Sequence, residues 1–559
     1  MGAPLAFSTT GLLEQRSLPM SGLDRRSFIG GAAALATGAL ALSACTTESE
    51  PTSQEPPAEQ AEAVRPSFKP YAESEPDVAG DPERGIPDAF WTFPDPVPER
   101  GLSLPEIGGI SYLTQGNAPP SPRESNRRWK DLEEATGAEW NITFGGFTDY
   151  TAVFQTRIAS GDLPDFVQIV SVPRQPELLE GAFVDLTDFL AGDKVLEYEG
   201  LASIPTTAWD VSILNGRLWG IPQARIPAGR VMRTSKANLD AAGIDFMPEP
   251  SDYEELEAMF AEVTDKAGNK FAMGAQPVDW FMNVVLEAMG APNQWRANDD
   301  GTFTHVNETE ECTAALEYVK KIWDAGYFHP NSFSEPQNNS QWWNAEVTTF
   351  YVEGFLAGVQ LKEFGATRET GLVVNPKFDG GGVPVKHLGV PAYGAPIGIT
   401  KQDSDDRVRE LLRVADYLAS PYGTKEYCRA VFGVEGVHWT MSEAGPTAVA
   451  DVNKNEPGMT SYLGAQSMAV IKGPQEVGQM QLDVANTIMA QGMKNDADGL
   501  YNEHAVNARP ADTQLRDVKN NIVQGRQPMS DWPAAVEEWK KEFEKARELY
   551  QELYAANQG

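Results

Sequence analysis

Arg25 and Arg26, then Phe28 and Ile29, an uncharged Ala/Gly/Leu-rich run from Gly30 to Leu42, and the tetrad Leu42-Ser43-Ala44-Cys45 stand in that order. Their chemistry is covalent. Small residues before a cysteine give a signal peptidase its cut site, and the freed Cys45 thiol becomes an acceptor for lipid, palmitate included. The apolar run is too short to cross a bilayer, which takes ~20 apolar residues. Residues 1–44 therefore read as a twin-arginine lipoprotein signal peptide, and Cys45 as the lipidated start of an exported chain. Residues 1–19 add nothing to this signal, so Met20 serves equally well as its start.

Catalytic signatures are missing from the rest. There is no Gly-x-Ser-x-Gly, no His-Glu-x-x-His and no triad-like grouping. The five histidines (305, 329, 387, 438 and 504) lack zinc-ligand spacing. In Thr264–Lys270 only Asp265 and Asn269 could serve as calcium ligands, and the further acids that calcium needs are missing. Asn298-Asp299-Asp300-Gly301 reads as a hairpin turn between Trp295 and Phe303. No metal and no cofactor are expected.

What the chain does offer is aromatic plates beside hydrogen-bonding groups. Trp280 follows Asp279 in a loop after an expected strand. Glu435, His438 and Trp439 share one turn, and Arg225 follows the turn Trp219–Pro222. Tyr393 opens a late strand, while Gln115 and Asn117 follow the first strand at its carboxyl end. Asp165 ends the Gly161–Asp165 turn, where its alternative role is to cap backbone. Such residues suit a largely pre-formed binding cleft, tryptophan as a rigid amphipathic plate and arginine as a bidentate donor. Trp342 and Trp343 are expected to pack the helix before a strand.

The elements that must position these groups follow from composition and periodicity. The chain has 559 residues, 41% of them hydrophobic, and 13 tryptophans, enough for two or three cored units. A net charge of −35 repels nucleic acid and anionic headgroups, and reads as a solvated acidic surface. Apart from Cys45 there are two cysteines. Cys312, Leu316, Val319 and Trp323 lie on one helical stripe, which favours a buried free thiol; a Cys312–Cys428 disulfide is the alternative. Thr46–Asp81 is rich in Pro, Glu, Ser and Ala, so residues 46–100 read as an extended tether with order beginning near Phe90-Trp91.

From Ile107 the pattern is α/β: strands at Ile107–Thr114, Glu139–Gly145 and Phe166–Val170 alternate with helices at Glu124–Thr136 and Asp149–Ser160. Further helices are expected at Ser251–Val263, Thr309–Ala325, Ser404–Leu418 and Trp532–Tyr554, and strands at Val347–Tyr351 and Tyr393–Thr400. Ligands collect where parallel strands end.

Four segments resemble one family. They are Tyr150 through Ala159-Ser160-Gly161-Asp162-Leu163-Pro164-Asp165-Phe166, then Gly216-Arg217-Leu218-Trp219-Gly220-Ile221-Pro222, then Phe432-Gly433-Val434-Glu435-Gly436-Val437-His438-Trp439-Thr440, and Asn521-Ile522-Val523-Gln524-Gly525 ahead of Trp532. Together they resemble the extracellular solute-binding protein family 1, in its large lipoprotein branch serving sugar ABC importers. The resemblance implies an α/β, two-lobed periplasmic-binding-protein-like II fold. Each lobe would be a mixed, mostly parallel sheet flanked by helices, with the ligand cleft between lobes.

It implies no catalysis, an oligosaccharide ligand (alginate-like uronates included), and closure of a monomer that delivers its load to an ABC importer permease. Membrane lipid would hold Cys45 at the outer face of the cell membrane. The site residues expected are Trp280, Asp279, Trp439, His438, Glu435, Tyr393, Arg225, Asp165, Gln115 and Asn117.

The expected divisions are a signal (1–44), lipidated cysteine and tether (45–100), first lobe (101–225), second lobe (226–346), a return to the first lobe (347–392), and the rest of the second (393–559). The competing class is a surface-anchored carbohydrate-active enzyme of glycoside hydrolase type, which needs paired carboxylates across a cleft.

Overall fold

A computed structural model describes residues 62–558, except 74, 87, 96, 103, 105, 117–119, 147–148, 355–369, 443–444, 465–468 and 471–474. The twin-arginine segment, Cys45, tether residues 46–61 and Asn117 lie outside the described residues.

In chain order, β1 (Gly108–Gln115), α1 (Arg127–Thr136), β2 (Ala138–Gly145), α2 (Tyr150–Ser160) and β3 (Phe166–Gln168) come first. Helix α1 starts where the Asn126 side chain accepts from Trp129 N–H. It stops at Gly137, whose φ of 62° suits a residue without Cβ. Then follow β4 (Arg230–Ser235), α3 (Tyr253–Glu262), β5 (Phe271–Met273), α4 (Met282–Ala288), α5 (Glu310–Ala325), β6 (Thr348–Gly354) and β7 (Thr370–Leu372). The last part holds β8 (Ile397–Ile399), α6 (Asp405–Leu418), α7 (Gln475–Ala490), α8 (Glu503–Val523) and α9 (Trp532–Gln558).

Two four-stranded sheets organise these elements. The first runs β8-β3-β1-β2, with β1 parallel to both neighbours and β8 antiparallel to β3. The second runs β7-β4-β6-β5, with β6 parallel to β5 and antiparallel to β4. Each has its own core. Trp140 stacks on Phe166 at 6.3 Å in the first lobe, against the inner face of α6. In the second, α3, α5, α8 and α9 gather around Phe260, Phe281 and Trp295. Cys312 and Cys428 are both free and buried, so the thiol stripe on α5 is core and the disulfide alternative falls.

The strand pairing exchanges two segments relative to the sequence expectation. Residues 348–354, expected back in the first lobe, pair inside the second sheet. Residues 397–399, expected in the second lobe, pair with β3, and α6 packs into the first core. Both stretches are apolar strands flanked by helices, so their patterns are interchangeable; only pairing tells them apart.

The ordered body also begins earlier than Phe90. Arg65 holds Asp210 bidentately at 2.6 and 3.0 Å. Lys69 N–H donates to Ala202 O at 2.8 Å. Arg100, with its side chain 1% exposed, donates to Asp416 Oδ2 at 2.9 Å and to Ser420 Oγ at 2.8 Å. The 45–100 tether is therefore corrected from Arg65 onward: the lobe's polar groups hold this strap at both ends, and Ile86, Ala89 and Phe90 bury apolar side chains between them.

A second polar junction fixes the turn at residues 433–439. His438 is fully buried; its Nδ1 accepts from Val434 N–H at 3.1 Å, which leaves the proton on Nε2 for Glu456 at 3.1 Å. Glu456 also takes Arg127 N–H at 2.8 Å and the Arg127 guanidinium at 2.8 Å. Burial alone would raise the Glu456 carboxyl. Arg127 and His438 outweigh it and hold the carboxyl at about 2, against an ordinary 4.5.

Two outcomes follow. Arg100→Ala leaves Asp416 buried without its cation and lowers unfolding free energy by about 3–5 kcal/mol in chemical denaturation. For Glu456, the depressed value stabilises the fold above pH 4.5 and loses that contribution as pH falls from 4.5 towards 2. Glu456→Gln should flatten the stability-against-pH slope in that window.

Candidate functional site

Two chain segments run antiparallel between the lobes. Ile221 bridges Ile397, and Ala224 bridges Ala392. Arg225 N–H donates to Pro391 O at 2.9 Å, Gly389 N–H to Pro227 O at 2.9 Å, and Tyr393 N–H to Gln223 O at 2.8 Å. The first segment enters the second lobe as β4, beginning at Arg230.

At the first-lobe end of this ribbon, β1 delivers Gln115. Its backbone N–H is fixed on Gln168 Oε1 at 3.1 Å, and its side-chain amide donates to the Tyr393 hydroxyl at 3.0 Å. The Arg225 guanidinium lies over the Tyr393 ring, 4.4 Å from its centroid, and donates to Gln223 Oε1 at 3.1 Å. Tyr462 stands 5.0 Å from the same ring. Burial pushes the Arg225 guanidinium down from its ordinary value, while Tyr462, Tyr393 and Glu353 oppose that shift. Burial pushes the Tyr462 phenol up to about 12.

At the second-lobe end, the Arg230 guanidinium lies 4.4 Å from the Trp280 ring centroid and binds Glu353 Oε1 at 2.6 Å. The β4–β6 register sets Glu353 opposite Val231 and Gly354 opposite Arg230, which brings that pair together. Trp280 is presented by a wide turn, Pro277–Phe281, entered through Gln276 at a φ of 55°. Beneath them Arg233 is buried, and burial pushes its guanidinium down to about 10 against the pull of Glu353 and Tyr351.

The result is a line of groups along the crossover: Gln115, Tyr393, Arg225, Glu353, Arg230 and Trp280. It offers amide, phenol, two guanidiniums on aromatic faces and one carboxylate. Chemically, such a set can pair with hydroxyls and charges on a ligand.

Four of the expected residues meet here: Gln115, Tyr393, Arg225 and Trp280. Asp279 is exposed next to Trp280, with its backbone carbonyl taken by Asn283 at 2.9 Å. Asn117 lies outside the described residues, and Asp165, Glu435, His438 and Trp439 stand away from the four. Asp165 sits at the amino end of β3, and its carboxylate accepts from Ser111 N–H and Oγ–H, both at 2.7 Å. That is strand fastening, at the opposite end of the sheet from Gln115.

Trp439 is 5% exposed, donates to Gly433 O at 2.7 Å and packs on Phe432. With His438 buried on Glu456, the signature turn is a structural knot beside α1, and Glu435 is left exposed on its outer edge. Sequence reasoning missed Gln223, Arg230, Glu353 and Tyr462. The one signal available was that Gln223, Arg225 and Arg230 follow a single Pro-bounded turn.

Comparison with known proteins agrees with this architecture. Bacillus subtilis (strain 168) lipoprotein LipO is 29% identical over 222 residues, 37% of this chain and 42% of LipO; the chain thus matches under half of that relative's length. The alginate-binding protein AlgQ2, solved without calcium ion, superposes with a TM-score of 0.59 at 14% identity, over 82% of this chain and 100% of AlgQ2. The N-glycan transport solute-binding protein NgtS of Streptococcus pneumoniae gives 0.57 at 16% identity, over 81% and 99%. These likenesses show the two-lobed fold. The sequence model for bacterial extracellular solute-binding proteins matches residues 124–425, more than half of the chain, and the protein belongs to that family.

Proposed function

We propose that the protein captures an oligosaccharide between its lobes and delivers it, unaltered, to the permease of an ABC importer. The observation that carries this reading is the crossover line from Gln115 to Trp280, where guanidiniums lie on aromatic rings between the two sheets. A sugar presents apolar C–H faces and a rim of hydroxyls; rings meet the first, and amide, carboxylate and guanidinium meet the second. Structural relatives named for alginate, N-glycan and kestose support a saccharide. Arg225, with Gln223 as its polar partner, suits the carboxylate of an acidic sugar. The protein acts as a monomer without cofactor, exported through its twin-arginine signal and tethered to the membrane by a lipid on Cys45. The LipO match supports the lipoprotein reading.

Calorimetry against neutral and uronate oligosaccharides tests this. The parent protein should bind at least one member and release no product over hours; catalytic release would overturn the reading. Trp280→Ala and Arg225→Ala should each weaken binding about tenfold, or ~1.4 kcal/mol, without unfolding the protein. Unchanged affinity in both would remove the site assignment and leave the family assignment intact. Trp439→Ala should instead cost stability, about 3–5 kcal/mol for a buried tryptophan. Cys45→Ser should free the protein from membranes while binding persists.

A further inference from the structure

The strap that precedes the first lobe makes a hairpin directly on the crossover ribbon. Val78 and Ala89 exchange backbone hydrogen bonds at 3.1 and 2.9 Å, and Asp81 and Ile86 do so at 2.8 and 2.9 Å. Arg84 closes the tip on Asp81 at 2.7 Å. The tip residue Gly85 has a φ of 69°, and a Cβ there would stand 2.9 Å from Pro227 and 3.0 Å from Pro391. Those prolines belong to the two opposed crossover segments. Only a residue without a side chain fits both the backbone angle and the space.

Ile86, 5% exposed, fills a small cluster with Ile226 and Ala228 of one segment, Leu388 of the other, and Ile488 and Met489 of α7. The hairpin is tied to the first lobe by Thr207, which donates to Pro82 O at 3.0 Å. On the other side α7 packs against β7 of the second sheet. Ala89 and Phe90 also pair in parallel with Ala469 and Val470, just ahead of α7. One hairpin thus touches the first lobe, both crossover segments and the helix that leans on the second lobe.

We propose that hairpin 78–89 is a brace on the inter-lobe hinge, and that its seating on Pro227, Pro391 and Ile226 sets how far the lobes open. Lobe closure must be absorbed by a few backbone angles in the crossover segments. A side chain wedged between those segments and α7 restricts which angles they adopt and so weights the open and closed populations.

The test is an inter-lobe distance distribution by electron spin resonance on the full chain. Labels go on Asp188→Cys and Glu544→Cys, exposed positions on the first lobe and on α9, in a Cys45→Ser background where Cys312 and Cys428 are buried. No ligand is added, so the outcome does not depend on which solute binds. Gly85→Ala and Ile86→Asp should each broaden the distribution or displace its mean by about 2 Å or more. An unchanged distribution in Gly85→Ala overturns the proposal. So does a lower melting temperature with unchanged distances in both variants, since the hairpin would then be only a stabilising wrap.

Discussion

The antiparallel ribbon of residues 224–229 against 389–392 is the constraint on which the rest of the molecule depends. It joins two sheets that otherwise have separate cores. Backbone hydrogen bonds from Arg225 to Pro391 and from Gly389 to Pro227 hold its two segments side by side, so side chains projecting from it stand between the lobes. Arg225 and Arg230 lie at its two ends, each over an aromatic ring from a different lobe. A site built this way is half-formed by one lobe and half by the other, which is what hinge closure around a solute needs.

The electrostatics of that line contrast with the body. The chain carries a net charge of −35, yet the crossover presents the half-buried guanidiniums of Arg225 and Arg230. Aromatic faces hold these cations in place without cancelling their charge, because a ring quadrupole attracts them more weakly than a carboxylate would. Glu353 neutralises Arg230 directly and reaches Arg225 only at longer range. In the function we propose, a solute that brings hydroxyls or an anionic group to Arg225 adds the direct contact that Glu353 does not make. Elsewhere, arginine–carboxylate pairs do structural work: Arg100 with Asp416 fastens the strap, and Arg127 with Glu456 fastens the 433–439 turn.

Much of the fold was legible in the sequence. The first β1-α1-β2-α2-β3 run appears within one to three residues of its expected limits, because hydrophobic periodicity and the glycine stop at Gly137 are local signals. The hairpin through Asn298–Gly301 is likewise as expected, with Trp295–Ala297 paired to Phe303–His305. The site was legible only in part. Gln115 and Tyr393 were reachable by the rule that ligands gather at strand ends, and Trp280 by its loop. Asp165, His438 and Trp439 were polar or aromatic residues in distinctive turns, and a distinctive turn can as easily fasten a fold as hold a ligand.

The sequence by itself determined most of the elements, the family and the acidic character of the chain, since these rest on local periodicity, motif order and composition. Tertiary structure alone decided which sheet residues 348–354 and 397–399 join, because both are short apolar strands and pairing partners are chosen at long range. It also decided that the strap belongs to the body: a Pro- and Glu-rich stretch becomes ordered when other segments supply Asp210, Asp416 and backbone carbonyls, and apolar pockets for Ile86 and Phe90. And it decided which arginines meet aromatic rings at the crossover. Arg225 and Arg230 resemble the other arginines in sequence; only the ribbon sets them on aromatic rings between two lobes.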